Sequence, residues 1–186
     1  MKIGLVGEAP NDTQSIKNLL EKRYLPLSYN FVFMLQISNG SQLDSNKTKR
    51  LLEIEYKTQK PDYVIFIRDL DSILPNKHKL DDRKEYFRTS NKRINGKGIF
   101  LLNIYEIEAL ILTDIATFNL KYNTKLLDIE NVMSIHEPKE YLKKASKKYS
   151  ESHNAAIFEL LDFNKTLNCQ YFKQFINKFD KTISSL

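Results

Sequence analysis

Five acids stand at spacings that could do chemistry: Glu8, Asp69, Asp71, Glu106 and Glu108. Asp12 follows four residues after the first. Carboxylates gathered near a core repel one another and are costly to bury unless paired or metal-bound. A hard divalent cation removes that penalty, because Mg²⁺ takes oxygen ligands and keeps waters and phosphate oxygens in its shell. Glu8, Asp69 and Asp71 are therefore candidate ligands for Mg²⁺ or Mn²⁺. Asp12, Glu106 and Glu108 are candidates for a second ion or the outer shell. Each has a plain structural alternative. Glu8 also reads as a surface acid, Asp69 and Asp71 as a solvated turn, and Asp12 as a helix N-cap. Glu106 and Glu108 are two apart and do not share a helix face, so they converge only if Glu106 precedes the helix.

The elements that must position these acids follow from apolar patterning. Residues 2–7, 31–37, 63–67 and 99–104 are short apolar runs of strand type, and Tyr63–Ile67 shows no polar alternation, as in a strand covered on both faces. Helices are expected after Asp12 up to Pro26, over 41–60, around 81–88, over 106–113, and over 115–120, 138–149, 154–161 and 169–179. Strands alternating with helices predict an α/β fold. It is a Rossmann-like three-layer sandwich on a mostly parallel four-stranded sheet, with a helical C-terminal tail. Residues 1–114 form the expected core and 115–186 a helical extension packed on it. In such sheets functional groups collect at the carboxyl ends of the strands. Glu8, Asp69–Asp71 and Glu106–Glu108 each follow a strand.

The chain has 186 residues and a formal net charge of +6. That charge is uneven: residues 77–97 carry eight basic and three acidic residues, and 98–137 carry two basic and six acidic. The basic segments read either as solvated helix faces or as a phosphate-binding rim. On the second reading Arg68, Lys77, Lys79, Arg83, Lys84, Arg88, Lys92, Arg93, Lys143, Lys144, Lys147 and Lys148 would contact DNA or RNA. No apolar run approaches a membrane span, and Cys169 is the single cysteine, which excludes an internal disulfide or a Cys-based zinc site. A soluble, cytoplasmic protein is expected. No glycine-rich phosphate loop of the P-loop or dinucleotide type is present. His78, His136 and His153 lack ligand spacing and read as surface residues. Phe172, Phe175 and Phe179 recur at helical intervals and read as core.

The stretch Val6-Gly7-Glu8-Ala9-Pro10-Asn11-Asp12, with Val64 to Asp71, resembles the Toprim domain of topoisomerases, primases and OLD-family nucleases. That resemblance implies Mg²⁺-dependent phosphodiester chemistry, with Glu8 as the motif glutamate, Asp69 and Asp71 as the Asp-x-Asp, and Asp12 as the extra acid of the OLD-like branch. The chain is also similar to small stand-alone bacterial Toprim-like proteins at Tyr105–Leu110, Glu137–Leu142 and Tyr171–Phe175. Leu110 stands where those proteins often have tryptophan. The lysine they often carry near position 150 is replaced here, since Ser150 and Glu151 follow Tyr149. Lys139 is the remaining candidate for a catalytic lysine, against a plain surface lysine. The resemblance implies a metal-dependent endonuclease acting in defence beside an ATPase partner. A non-catalytic subunit of an ATPase complex and a nucleotidyl transferase are the alternatives.

Overall fold

The computed structural model describes residues 1–36, 40–70, 72 and 76–184. Asp71, Ile37 and Asn39 lie outside them. Four strands, β1 (Lys2–Val6), β2 (Asn30–Phe33), β3 (Tyr63–Asp69) and β4 (Gly98–Asn103), form one sheet in the order β2-β1-β3-β4. All three pairings are parallel. The expected α/β sandwich is thus present, and its sheet is wholly rather than mostly parallel.

Strand periodicity explains the layers. Ile65 and Ile67 of β3 point into one cluster, with Ile3, Leu5, Ile99 and Leu101 from its neighbours. Val64 and Phe66 point the other way, with Val6. The second face is covered by α3 (Asn46–Gln59), through Leu52, and α4 (Lys77–Arg93), through Tyr86 and Phe87. The first face is covered by α1 (Pro10–Tyr24) and by the chain after β4. That chain comprises a 3₁₀ helix Ile107–Asp114, then α5 (Ile115–Tyr122), α6 (Pro138–Ala145), α7 (Asn154–Phe158), α8 (Phe163–Thr166) and α9 (Gln170–Ile183). The helical C-terminal extension thus packs on the core as expected and supplies part of one layer of the sandwich.

Phe172, Phe175 and Phe179 are buried in α9, which packs on β4. Each contributes about 2–3 kcal/mol by burial. Phe179 meets the Tyr24 ring edge-on at 5.0 Å, and Tyr24 donates a hydrogen bond to Asp180 at 2.6 Å, locking α1 to α9. Cys169 is buried, which pushes its thiol pKa up to about 11. No helix among the described residues is long and apolar enough to cross a membrane.

Several boundaries differ from the sequence reading. The helix expected over 41–60 is broken. A short α2 (Gly40–Leu43) ends before Asp44, and Ser45 caps α3 by accepting from the Thr48 amide at 3.1 Å. The helix expected at 81–88 extends over the whole of α4, because Asn76 caps it by accepting from the Lys79 amide at 3.1 Å. His153 is half-buried rather than on the surface. It stacks on Tyr122, whose hydroxyl lies 2.9 Å from its Nδ1.

Asp114 anchors the helical layer. Its carboxylate is 3% exposed and accepts from Lys165 Nζ at 2.7 Å, Thr117 Oγ1 at 2.8 Å and the Asp162 amide at 3.0 Å. Burial opposes its charge, yet Lys165 and these donors hold its pKa below the ordinary range. Asp114→Ala should cost about 2–4 kcal/mol, read as a lower urea midpoint. Because the folded pKa is depressed, this stabilisation is present above the unfolded pKa and is lost as pH falls through the folded one.

Candidate functional site: an acidic rim at the strand ends

The site is built from three neighbouring strand ends. β1 stops at Val6, and α1 begins only four residues later, at Pro10. Gly7 permits that tight turn, since a Cβ there would lie 2.8 Å from the Thr13 methyl. Glu8 sits in the turn. Ala9, not Asp12, is the N-cap of α1. Asp12 occupies the first turn, where the helix dipole favours an acid.

Alternation along β3 sends two adjacent residues to opposite faces. Arg68 continues the Val64–Phe66 row towards α4. Asp69 continues the Ile65–Ile67 row towards α1 and the C-terminal helices. Asn103, the last residue of β4, is in register with Asp69 and donates its Nδ2 to Asp69 Oδ1 at 2.6 Å. Three residues on, Glu106 is the N-cap of the 3₁₀ helix and thus precedes it. That is the arrangement the spacing of Glu106 and Glu108 required. Glu106 accepts from the Lys139 amide at 3.0 Å and lies 3.4 Å from Lys139 Nζ. Glu108, 2% exposed, accepts from Asn154 Nδ2 at 2.9 Å, and Asn154 in turn accepts from the buried Tyr149 hydroxyl at 2.8 Å.

These acids act on one another. Burial raises the Asp69 pKa well above the carboxylate range, with further repulsion from Asp12, Glu108 and Glu8, against the Asn103 hydrogen bond. Burial, then Glu108 and Glu8, push Asp12 up to about 7. Burial likewise raises Glu108, against the Asn154 bond. Lys139 supplies the main cationic balance. Burial opposes its charge, but Glu108, Glu106 and Glu151 together raise its pKa above the ordinary lysine range. It therefore remains an ammonium and is unsuited to act as a base.

Asp12 gives a direct test of this repulsion. Its folded pKa is raised, so between roughly pH 4 and 7 the fold binds a proton that the unfolded chain has released. Stability must fall as pH rises through that window. In EDTA, Asp12→Asn should match wild type near pH 4 and exceed it by about 1–3 kcal/mol at pH 8. Urea unfolding across that range measures it, and parallel curves for the two proteins would refute it.

Arg68 is not placed for a phosphate. Its side chain is 2% exposed, its Nε binds Glu8, and its two terminal nitrogens bind Asp44 at 3.2 and 3.4 Å. Its guanidinium also lies 4.5 Å from the Tyr86 ring centroid. Strand alternation drives it into the α4 layer, where only an ion pair satisfies it. The remaining cations divide by position. Arg83 donates to the Asp69 carbonyl at 2.9 Å and lies 3.9 Å from Glu8, so it belongs to the rim. Lys77 and Lys79 begin α4 on that side. From there α4 must run back to the start of β4, about 25 Å for its length. Arg88, Lys92 and Arg93 therefore lie towards the opposite end of the sheet, and Arg88 and Arg93 pair with Glu85 and Glu53. Lys84 pairs with Asp81 at 3.7 Å. On the other face, Lys143 is paired with Glu140 and Glu151, while Lys144, Lys147 and Lys148 are exposed.

Among the described residues, no three His, Cys, Asp or Glu side chains are placed to hold a metal ion. The donor chemistry still suits a hard cation. Asp12, Asp69 and Glu108 carry carboxylate oxygens whose ionisation burial opposes, and among the described residues the buried Oδ1 of Asn103 has no hydrogen-bond donor. Asn103, Asn154, Asp44 and Tyr149 had no signal of their own in the sequence. For Asn103 alone, its place at a strand end beside the acids was a usable clue.

Compared with family models, with curated proteins and with solved structures, the chain matches none.

Proposed function

We propose that this chain is a Mg²⁺-dependent nuclease of the Toprim type, acting on phosphodiester bonds of DNA or RNA. One observation carries the reading: carboxylates that end or follow three adjacent strands are gathered at a single rim, where burial first and repulsion from neighbouring acids second oppose their ionisation. An arrangement that unfavourable is compensated when a cation binds it. Asp12, Asp69 and Glu108, which do not form a metal site as they stand, would have to close on Mg²⁺ to hold it, with Glu106 in its outer shell. The bound metal would polarise the scissile phosphate and acidify a water. The protein's own groups do the rest. Lys139, fixed as an ammonium beside Glu106 and Glu151, presents positive charge to the phosphate. Arg83 spans the turn between Glu8 and β3. Asn154 and Asn103 orient Glu108 and Asp69. The resemblance of the Glu8 and Asp69 segments to the Toprim motifs supports the same reading.

A second reading, a non-catalytic Toprim-like module of an ATPase-containing complex, is favoured by the Glu8–Arg68 ion pair, which satisfies the motif glutamate without metal. Labelled DNA and RNA incubated with Mg²⁺, Mn²⁺ or EDTA separate the two. The nuclease cuts with metal and stops in EDTA. Intact strands under every metal condition would favour the module.

A further inference from the structure

Beside the acidic rim lies a cleft of ≈ 690 Å³ that none of the chemistry above uses. Glu106 forms part of its wall and joins the cleft to the rim. Its other walls include Tyr105, His136, Tyr141 and Lys144. The volume is that of a small-molecule site rather than a surface dimple.

The lining has a definite chemistry. The His136 ring lies over Tyr105, with centroids 5.5 Å apart and planes 34° from parallel. Tyr105 is buried and held by its hydroxyl, which donates to the Met133 carbonyl at 3.1 Å, so the exposed His136 ring is backed by a fixed one. Tyr141 and Lys144 are three apart on α6 and share a face, which puts an aromatic ring and an ammonium side by side in the cleft. Lys143, next to it, is paired with acids, and so is Lys139; Lys144 has no ion-pair partner among the described residues. Glu106 is already engaged by Lys139 and does not repel an anion as a free carboxylate would. Glu137, the other acid in the wall, is an acceptor for an exocyclic amino group.

A flat π-face beside one uncommitted cation fits a ligand that is itself a flat ring joined to a phosphate. We propose that the cleft receives one unpaired nucleotide, with its base against His136 and Tyr141 and its phosphate at Lys144. The strand acted on at the rim is then single-stranded, since a paired base cannot leave its stack to enter at no cost. The inference rests on the nuclease reading only in calling that strand a substrate.

Fluorescence anisotropy in EDTA tests it, with a short labelled single strand and the matching duplex as probes. His136 and Lys144 are exposed, so His136→Ala and Lys144→Ala leave the core intact. Each should weaken single-strand binding about tenfold, while His136→Ala changes duplex binding less than about twofold. Single-strand affinity unchanged in both cleft variants, or equal losses on single strand and duplex, would overturn the proposal. So would binding of adenosine monophosphate with none of the strand. The readout is independent of cleavage. A selective single-strand loss in His136→Ala without any metal-dependent cutting would retain the cleft and discard the nuclease.

Discussion

Asp69→Asn is expected to lower Mg²⁺-dependent cleavage by at least about a hundredfold and, in EDTA at pH 8, to make the protein more stable than wild type. The two effects have one cause. Asp69 ends the central strand β3 and is buried among Asp12, Glu108 and Glu8, so its charge is opposed by burial first and by those acids next. An amide of the same shape removes the charge and keeps the packing. The one hydrogen bond at stake can be rebuilt: Asn103 now donates to Asp69, and its unpartnered Oδ1 can accept from the new amide if the Asn103 group turns over. The sign follows from the raised folded pKa. The fold favours protonated Asp69, so wild type loses stability as pH rises above the unfolded carboxylate value, and the amide variant does not. The gain should be about 1–3 kcal/mol, measured by urea unfolding. Added Mg²⁺ should then stabilise wild type and leave the variant unchanged. Equal cleavage by both proteins would remove Asp69 from the site. A variant less stable in EDTA would mean that the carboxylate is compensated rather than repelled.

Arg68→Met is expected to cost about 3–5 kcal/mol, the largest single loss of stability in the rim. Methionine roughly preserves the buried volume but leaves Glu8 and Asp44 without their cation. Asp44 is 51% exposed and recovers water, so most of the cost falls on Glu8, at 21%. Glu8 would then add its unpaired charge to Asp12 and Asp69. Arg68→Lys should recover only part of the loss, since one ammonium cannot reproduce a fork that binds two carboxylates and lies on Tyr86. The double variant Arg68→Met with Glu8→Gln should be more stable than Arg68→Met alone, because the stranded charge is gone. Urea midpoints of wild type, Arg68→Met, Arg68→Lys, Glu8→Gln and the double variant measure this. Additive effects of the two substitutions would show that Arg68 acts through packing rather than through the ion pair.

Much of the frame was legible from the chain itself. Apolar runs closed by turn residues located four strands, and the uninterrupted run from Tyr63 to Ile67 announced a strand covered on both faces, as β3 is. The alternation of strands and helices implied parallel pairing, which brings the carboxyl ends of β1, β3 and β4 to one edge. Glu8, Asp69 and Glu106 each end or follow one of these strands, so connectivity alone directs them to that edge. The phenylalanines of α9 declared themselves as core by their helical spacing. All of these are consequences of local periodicity and of chain connectivity.

The partners of each acid were decided by packing between distant segments. Period two puts Arg68 and Asp69 on opposite faces, but which layer covers each face depends on α4 on one side and on helices from the last third of the chain on the other. Asp44 reaches Arg68 only because the helix breaks at Ser45. Glu108 is held by Asn154, 46 residues away, and Lys139 is held between Glu106 and Glu151. The basic run of 77–97 shows the same limit. As a string it is one patch. As a helix crossing the sheet, it leaves only its first turns near the acids. Sequence therefore determined which strand ends share an edge of the sheet. Tertiary structure decided which of the acids there are balanced by a cation and which are left to repel, because charge balance depends on distances that only the packed layers set.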